Sequence, residues 1–143
     1  MRRALLDVNV LIAALDGGHA HHGRVRDWLS EEGARGWASC PITQNGCIRI
    51  LSQPGYPSPL RPAEVIERLR EATDHASHAF WADDVSLLDT RRVRADRVLG
   101  PRQVTDLYLL ALAVKHGGRL VTLDGRIPLE GVAGAGDDHL VVL

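Results

Sequence analysis

Residues 5–16 read LLDVNVLIAALD, an apolar run interrupted by a carboxylate at Asp7 and by an amide at Asn9. Residues 3–7 are predicted to form a short buried strand, and the apolar residues that follow recur at helical spacing. A carboxylate in such a run is costly to bury unless it is neutralised, paired or bound to a cation. No cap or turn in the neighbouring sequence explains Asp7, so we expect its partners to lie elsewhere in the chain.

Length and composition are those of an ordinary globular protein. The chain has 143 residues, of which 45% are hydrophobic and 24% charged, and its net charge is −1. We expect one domain over residues 1–143. No apolar stretch approaches the roughly 20 residues of a membrane-spanning helix, and no signal peptide is evident, so we expect a cytoplasmic protein without membrane contact. Cys40 and Cys47 are predicted to be reduced core thiols.

Predicted strands and helices alternate along the rest of the chain. Further strands are predicted within residues 36–40, 78–83, 119–124 and 139–143. Helices are predicted over residues 9–15, 21–32, 42–52, 62–72 and 102–118, with a helical turn at 84–90. Among their inward-facing residues we expect Val65, Ile66, Leu69, Val104 and Leu107. The alternation predicts an α/β fold with a parallel sheet between helices, and its functional crevice at the carboxyl ends of the strands.

Three carboxylates lie at or near this expected crevice. Asp7 ends the first strand, Asp124 ends the strand RLVTLD, and Asp106 lies in the first turn of the helix before that strand. Close carboxylates repel one another, whereas Mg²⁺ or Mn²⁺ binds such oxygens favourably. Two of the acids also have ordinary explanations, because Asp106 suits a helix N-terminus and Asp124 suits a turn. Taken together, the three acids favour a metal site.

The basic residues are unevenly distributed. Lys115 is the only lysine among 17 basic residues, and five arginines lie within residues 91–102. Guanidinium groups bind phosphate in a bidentate manner, so this cluster is compatible with a nucleic-acid site. A solvated helical face explains it equally well. The candidate RNA-binding arginines are Arg91, Arg92, Arg94, Arg97 and Arg102, together with Arg49.

Other motifs carry weaker signals. His19, His21 and His22 could bind a metal, but a polar helix start explains them better. The sequence contains no GxSxG elbow and no P-loop, and no Ser or Cys has a His at a spacing that suggests a catalytic pair. The run GVAGAG lacks the glycine spacing of a dinucleotide site. Acid chemistry is therefore the strongest functional signal.

Three stretches in order resemble a PIN domain, and specifically the VapC toxins of bacterial toxin–antitoxin pairs. They are LLDVNVLIAALD, PITQNGCIRILS and TDLYLLALAVKHGGRLVTLD, and the resemblance covers nearly the whole chain. It implies a three-layer α/β/α fold around a small parallel sheet of about five strands. It also implies an endonucleolytic ribonuclease that requires Mg²⁺ or Mn²⁺, is held inactive by a cognate antitoxin, and typically forms a homodimer.

The resemblance also implies roles for individual residues. Asp7, Asp106 and Asp124 match the family's metal-binding acids, Thr122 matches a hydroxyl beside the last acid, and Asn9 matches an amide of the opening motif. The chain departs from the family at Gln44, followed by Asn45, where many PIN nucleases carry Glu. An amide can supply an oxygen or orient a water but brings no charge, so a second divalent ion should bind more weakly.

We hypothesise that the three acids hold at least one Mg²⁺, which activates a water for attack on a phosphodiester. Two alternatives remain open. A degenerate PIN domain would bind RNA or a protein partner without catalysis, and metal titration would distinguish it. A phosphoacceptor receiver domain would also place acids around Mg²⁺. It requires a Lys at the end of a late strand, however, whereas Lys115 is predicted inside a helix.

Overall fold

A five-stranded parallel sheet forms the centre of the computed structural model, which describes residues 2–143. The strands are β1 (Ala4–Leu6), β2 (Trp37–Ser39), β3 (His78–Phe80), β4 (Arg119–Thr122) and β5 (Leu140–Val142). Their order across the sheet is β3-β2-β1-β4-β5. The chain first winds outward from β1 to β3 and then continues on the other side of β1 with β4 and β5. The winding therefore reverses between β1 and β4, which is where ligands bind in open parallel sheets.

Five α-helices connect and cover these strands in the described residues. They are α1 (Val8–Leu15), α2 (His22–Glu32), α3 (Pro41–Leu51), α4 (Pro62–Thr73) and α5 (Val104–Lys115). Pro41 and Pro62 each occupy the first helical position, where the missing N–H costs nothing. None of the helices in residues 2–143 is long and apolar enough to cross a membrane.

The core is divided by the sheet into two clusters, because successive strand residues point to opposite faces. Leu5 and Leu120 pack with α5, in which every residue from 107 to 113 is buried. Leu6 and Val121 pack on the other face with α1, α2, α3 and α4. This is the three-layer α/β/α arrangement that the sequence predicted.

Several local predictions were wrong. Ile66 and Val104 are each 41% exposed, although both were expected to face inward. In α4 the buried residues are Val65 and Leu69, one turn apart, so the contact stripe is too narrow to include Ile66. Residues 84–90 form no helix, and the predicted helical turn is reduced to a turn at 87–88 closed by the bond from the Asp89 N–H to the carbonyl of Ser86 at 3.1 Å.

The arginine-rich segment, residues 91–102, is not a helical face. It is irregular, with short 3₁₀ turns at Ala95–Arg97 and Pro101–Gln103. A single antiparallel bridge from Val93 to Val132 fixes it against the glycine-rich connection that precedes β5. The strands are also shorter than predicted, since β3 ends at Phe80 and β4 at Thr122.

A candidate acidic active site

Asp7 lies between β1 and α1 and is only 5% exposed. Its Oδ1 accepts a hydrogen bond from the backbone N–H of Val8 at 2.7 Å, which makes it the N-cap of α1. Its Oδ2 accepts a hydrogen bond from the hydroxyl of Thr122 at 2.7 Å. The expectation that no cap explains Asp7 was therefore wrong. The helix cap engages one carboxylate oxygen, and a residue at the end of β4 engages the other.

Opposing influences act on the protonation of Asp7. Burial raises its pKa, and the nearby charge of Asp124 raises it further. The hydrogen bonds from Thr122 and Val8 lower it, because both donate to the ionised form. Each carboxylate oxygen can accept more than one bond, so Asp7 retains acceptor capacity for a cation.

Thr122 joins the two strands that flank the reversal of winding. It is fully buried at the end of β4. Its hydroxyl donates to Asp7 and accepts a hydrogen bond from the backbone N–H of Asp124 at 3.1 Å. A single hydroxyl thereby fixes the first acid and the backbone of the third.

Asp106 is the most strongly perturbed acid of the three. It lies in the first turn of α5 and is half-buried. Burial raises its pKa to about 6, with added contributions from the charges of Asp7 and Asp124. Arg126 acts in the opposite direction, and no hydrogen bond within the described chain lowers this pKa. The three acids are thus close enough for their charges to act on one another.

Asp124 is held by an arginine that follows it in the same turn. The backbone N–H of Arg126 donates to Oδ1 of Asp124 at 3.0 Å, and Nε donates to the same oxygen at 3.2 Å. These bonds lower the pKa of Asp124. Across residues 2–143, no group of three His, Cys, Asp or Glu side chains has the spacing of a metal site. The donor chemistry of Asp7, Asp106 and Asp124 fits a hard divalent cation, and the three carboxylates would have to draw closer together to ligate one ion.

A cleft of about 540 Å³ opens over these acids. Its wall brings together most of the residues that the sequence singled out, namely Asp7, Asn9, Asn45, Arg49, Arg102, Asp106 and Asp124. They come from α1, α3, the turn before α5, α5 itself and the loop after β4. Asn9 is exposed one residue inside α1 and is not its cap, and the hydrogen bonds to the Asp7 carboxylate come from Val8 and Thr122. The cleft lies at the expected end of the sheet.

A second, smaller cavity of about 330 Å³ adjoins the cleft. It shares Arg102, Asp106 and Asp124 with the cleft and adds Arg126 and the turn from Leu99 to Gln103. Sequence analysis missed Arg126. Its position two residues after a candidate metal ligand was the available signal, and the dense run at 91–102 drew attention away from it.

Gln44 is not brought to the cleft. Its side-chain amide donates to the hydroxyl of Ser39 at 2.9 Å, and this hydroxyl lies 2.8 Å from Nε2 of His78. Sequence spacing gave no sign of this Ser–His pair, because β2 and β3 bring together residues that are 39 positions apart. Ser39 is fully buried, so the pair is closed to substrate. Gln44 therefore belongs to a partly buried polar network and does not line the cleft.

Four of the candidate RNA-binding arginines also lie away from the cleft wall. Arg91 and Arg92 pair with Asp89, Arg97 pairs with Asp96, and Arg94 donates to the carbonyl of Glu130. The irregular backbone turns these four side chains to local acceptors, and none of them lines the cleft or the smaller cavity. Lys115, the last residue of α5, bonds to the carbonyl of Asp84 and lines neither cavity, so the lysine that a receiver domain requires is not beside the acids.

The three histidines of the HAHH stretch serve local structure. His19 Nδ1 accepts a bond from the backbone N–H of His21 at 3.0 Å, and His22 Nδ1 lies 2.7 Å from the carbonyl of Ala13. The helix α2 begins at His22. The interpretation as a polar helix start therefore accounts for their contacts.

Comparison with known proteins gives a consistent result. The PIN domain family model matches residues 4–133. The chain is 53% identical over 141 residues to ribonuclease VapC44 of Mycobacterium tuberculosis (strain ATCC 25618 / H37Rv), with 99% of each chain covered. It is 42% identical over 132 residues to ribonuclease VapC39 of the same strain, covering 92% of this chain and 95% of the relative. It is also 42% identical over 125 residues to ribonuclease VapC38, with 87% and 86% covered.

Proposed function

We propose that this chain, which belongs to the PIN domain family and to its VapC ribonucleases, cuts RNA endonucleolytically with Mg²⁺ or Mn²⁺. One observation carries the proposal. Acids from three separate elements line one cleft at the reversal of the sheet, and the charges of two of them raise the pKa of the third. Such mutual repulsion is unfavourable unless a cation or a proton relieves it.

We propose that Asp7, Asp106 and Asp124 hold the cation. When bound, Mg²⁺ supplies a Lewis acid and lowers the pKa of a coordinated water. Thr122 keeps Asp7 oriented by donating to one of its oxygens, and this bond favours the ionised form that a metal ligand needs. For Asp124 to act as a ligand, its carboxylate has to exchange bonds from Arg126 for the cation. With three carboxylates and Gln44 turned elsewhere, one ion is expected to bind more tightly than a second.

Two arginines of the cleft suit an RNA backbone. Arg49 extends from the last turn of α3, and Arg102 lies in the turn before α5. Both line the cleft next to the acids and are exposed, so their guanidinium groups can bind phosphate beside the scissile bond. Asn45, on the same wall, offers an amide to a base or a sugar. In this scheme the arginines position the strand and the acids carry the chemistry.

The wider context of the proposal follows from the family. We propose a cognate antitoxin protein as the partner that inhibits cleavage, a homodimer as the working form, and the cytoplasm as its location. Size-exclusion chromatography with light scattering would measure the oligomeric state. Co-expression with the protein encoded beside this chain would test inhibition of cleavage.

Cleavage of a labelled RNA tests the proposed activity. Wild type should cut in Mg²⁺ or Mn²⁺ and not in EDTA, and Asp106→Asn should lose at least a hundredfold in rate. Asp96→Asn is the matched control, because Asp96 is exposed and pairs with Arg97 outside the cleft. Activity of wild type in EDTA, or full activity of Asp106→Asn, would contradict the proposal. Mn²⁺ binding with no cleavage of any RNA would favour the alternative of a non-catalytic binding domain.

A further inference from the structure

The acids lie at the junction of two cavities and not at the end of one. Arg49 lines only the larger cleft, and Arg126 lines only the smaller cavity. Asp106 and Asp124 belong to both walls, and so does Arg102. A chain that passes over the acids can therefore enter through one cavity and leave through the other. A site that bound only a terminal nucleotide would need a single opening.

The smaller cavity has the chemical character of a nucleotide site. Part of its wall is the turn Leu99–Gln103, which is closed by a hydrogen bond from the backbone N–H of Leu99 to Oε1 of Gln103 at 2.9 Å. Leu99 is 83% exposed and packs in neither core cluster, so it offers an apolar surface to a base. Arg126 stands on the same cavity with a guanidinium group for a phosphate. A volume of about 330 Å³ is within the range of small-ligand sites.

Arg126 differs from other exposed arginines in its position and not in its local bonding. Arg91 has the same arrangement, since its backbone N–H and Nε donate to Asp89 at 3.0 and 3.2 Å. The side chains of Arg126 and Arg91 are 82% and 89% exposed. Arg91, however, lines neither of the two cavities, whereas Arg126 lines the smaller one together with Asp106 and interacts electrostatically with it. Each guanidinium has five N–H donors, so both retain donors for a phosphate.

We propose that the smaller cavity binds the RNA strand on one side of the scissile phosphate, with Arg126 as its phosphate contact. The larger cleft, with Arg49, then binds the strand on the other side, and Arg102 bridges the two. RNA lies across the acids in an extended, single-stranded form. This inference rests on the proposed function in taking RNA as the substrate.

The test is the binding of a fluorescein-labelled single-stranded RNA, measured by fluorescence anisotropy in EDTA over a series of KCl concentrations. Loss of one phosphate contact should weaken binding roughly threefold at moderate salt and reduce the slope of log K against log salt by about 0.7. We expect this of Arg126→Ala. Arg126→Lys should keep the slope and lose part of the affinity, because Lys is a point charge without the bidentate fork. Arg91→Ala is the matched control and should bind as wild type does.

Two results from the variants would overturn the inference. One is an Arg126→Ala variant with wild-type affinity and slope, and the other is an equal loss in Arg91→Ala. Wild type that binds no RNA would overturn it as well. Cleavage in Mn²⁺ is measured in parallel to separate the two proposals. If wild type binds RNA without cutting it, the nuclease proposal fails while the variants still decide the path of the strand. If wild type cuts RNA and Arg126→Ala binds normally, the path fails and the nuclease proposal stands.

Discussion

Replacing Asp106 by Asn should stabilise the fold, although it removes a residue that the proposed activity needs. Burial and two neighbouring acids raise the pKa of Asp106 from 3.8 to about 6. At neutral pH Asp106 is ionised in both states. Its charge is disfavoured only in the folded state, where the side chain is partly buried beside two other acids. A neutral amide of the same shape removes this repulsion.

The magnitude follows from the pKa difference. Two pKa units correspond to about 3 kcal/mol at roughly 1.4 kcal/mol per unit. Asp106 is partly exposed, and solvent screening reduces this figure, so we expect a gain of about 1–2 kcal/mol in the free energy of unfolding. For a chain of this size, that gain raises Tm by roughly 3–6 °C.

The pH dependence gives this prediction its sign. A carboxyl whose pKa is higher in the folded state binds more protons there, so stability falls as pH rises through the interval between the two values. The free energy of unfolding of wild type should therefore include a decrease between about pH 4 and pH 6 that comes from Asp106, and Asp106→Asn should not show this decrease. The two proteins should be equally stable below pH 4 and differ fully above pH 7.

Urea unfolding in EDTA, followed by circular dichroism from pH 3.5 to 7.5, measures this difference. Asp96→Asn serves as the control for a charge change outside the cleft. An Asp106→Asn variant that is no more stable than wild type at pH 7 would refute the reasoning. A difference that stays constant from pH 4 to pH 7 would refute it too. Adding Mn²⁺ should reverse the order, because a ligand that binds the folded state stabilises wild type by mass action.

Three further outcomes are expected. Thr122→Val should lower stability by about 1–2 kcal/mol and weaken Mn²⁺ binding, measured by calorimetry, because Asp7 and the backbone of Asp124 each lose a hydrogen-bond partner. Thr122→Ser keeps the hydroxyl and should retain most of the stability and of the Mn²⁺ affinity. Equal losses in the two variants would argue against this role of the hydroxyl. Gln44→Ala should lower stability by about 1 kcal/mol in thermal unfolding and leave the rate of RNA cleavage unchanged, because the Gln44 amide bonds to Ser39 away from the acids. A roughly tenfold slower cleavage would instead place Gln44 in the active site. Gly118→Ala should destabilise the fold by more than about 2 kcal/mol in chemical unfolding, since an added Cβ would lie 2.6 Å from the carbonyl oxygen of Arg3. Gly23→Ala is the control, because nothing lies within 4 Å of a Cβ added at this position in α2, and it should be neutral or stabilising.

The sequence predicted the order of the elements well, because hydrophobic periodicity and the prolines at helix starts are local signals. Helix ends were correct to within a few residues, as α3 and α4 show. Predictions failed where a side chain's environment depends on a distant neighbour. Ile66 has the hydrophobicity of a core residue, but α4 contacts the core along a stripe that ends at Val65 and Leu69.

The contrast between local signals and effects of distant neighbours also holds at the candidate site. By itself the sequence identified Asp7, Asp106 and Asp124, because acids that follow apolar strands or begin a buried helix stand out in any chain. The tertiary structure decided which arginines accompany them. Arg49 and Arg102 line the cleft, whereas the other arginines of residues 91–102 bond to acceptors beside them. The hydrogen bond from Gln44 to Ser39 was likewise visible only in three dimensions, because the fold brings the two side chains together. The physical reason is that a carboxylate's presence at a strand end is a local property of the chain. The direction of a long, flexible cationic or amide side chain depends instead on the nearest available partner, which the fold alone brings within reach.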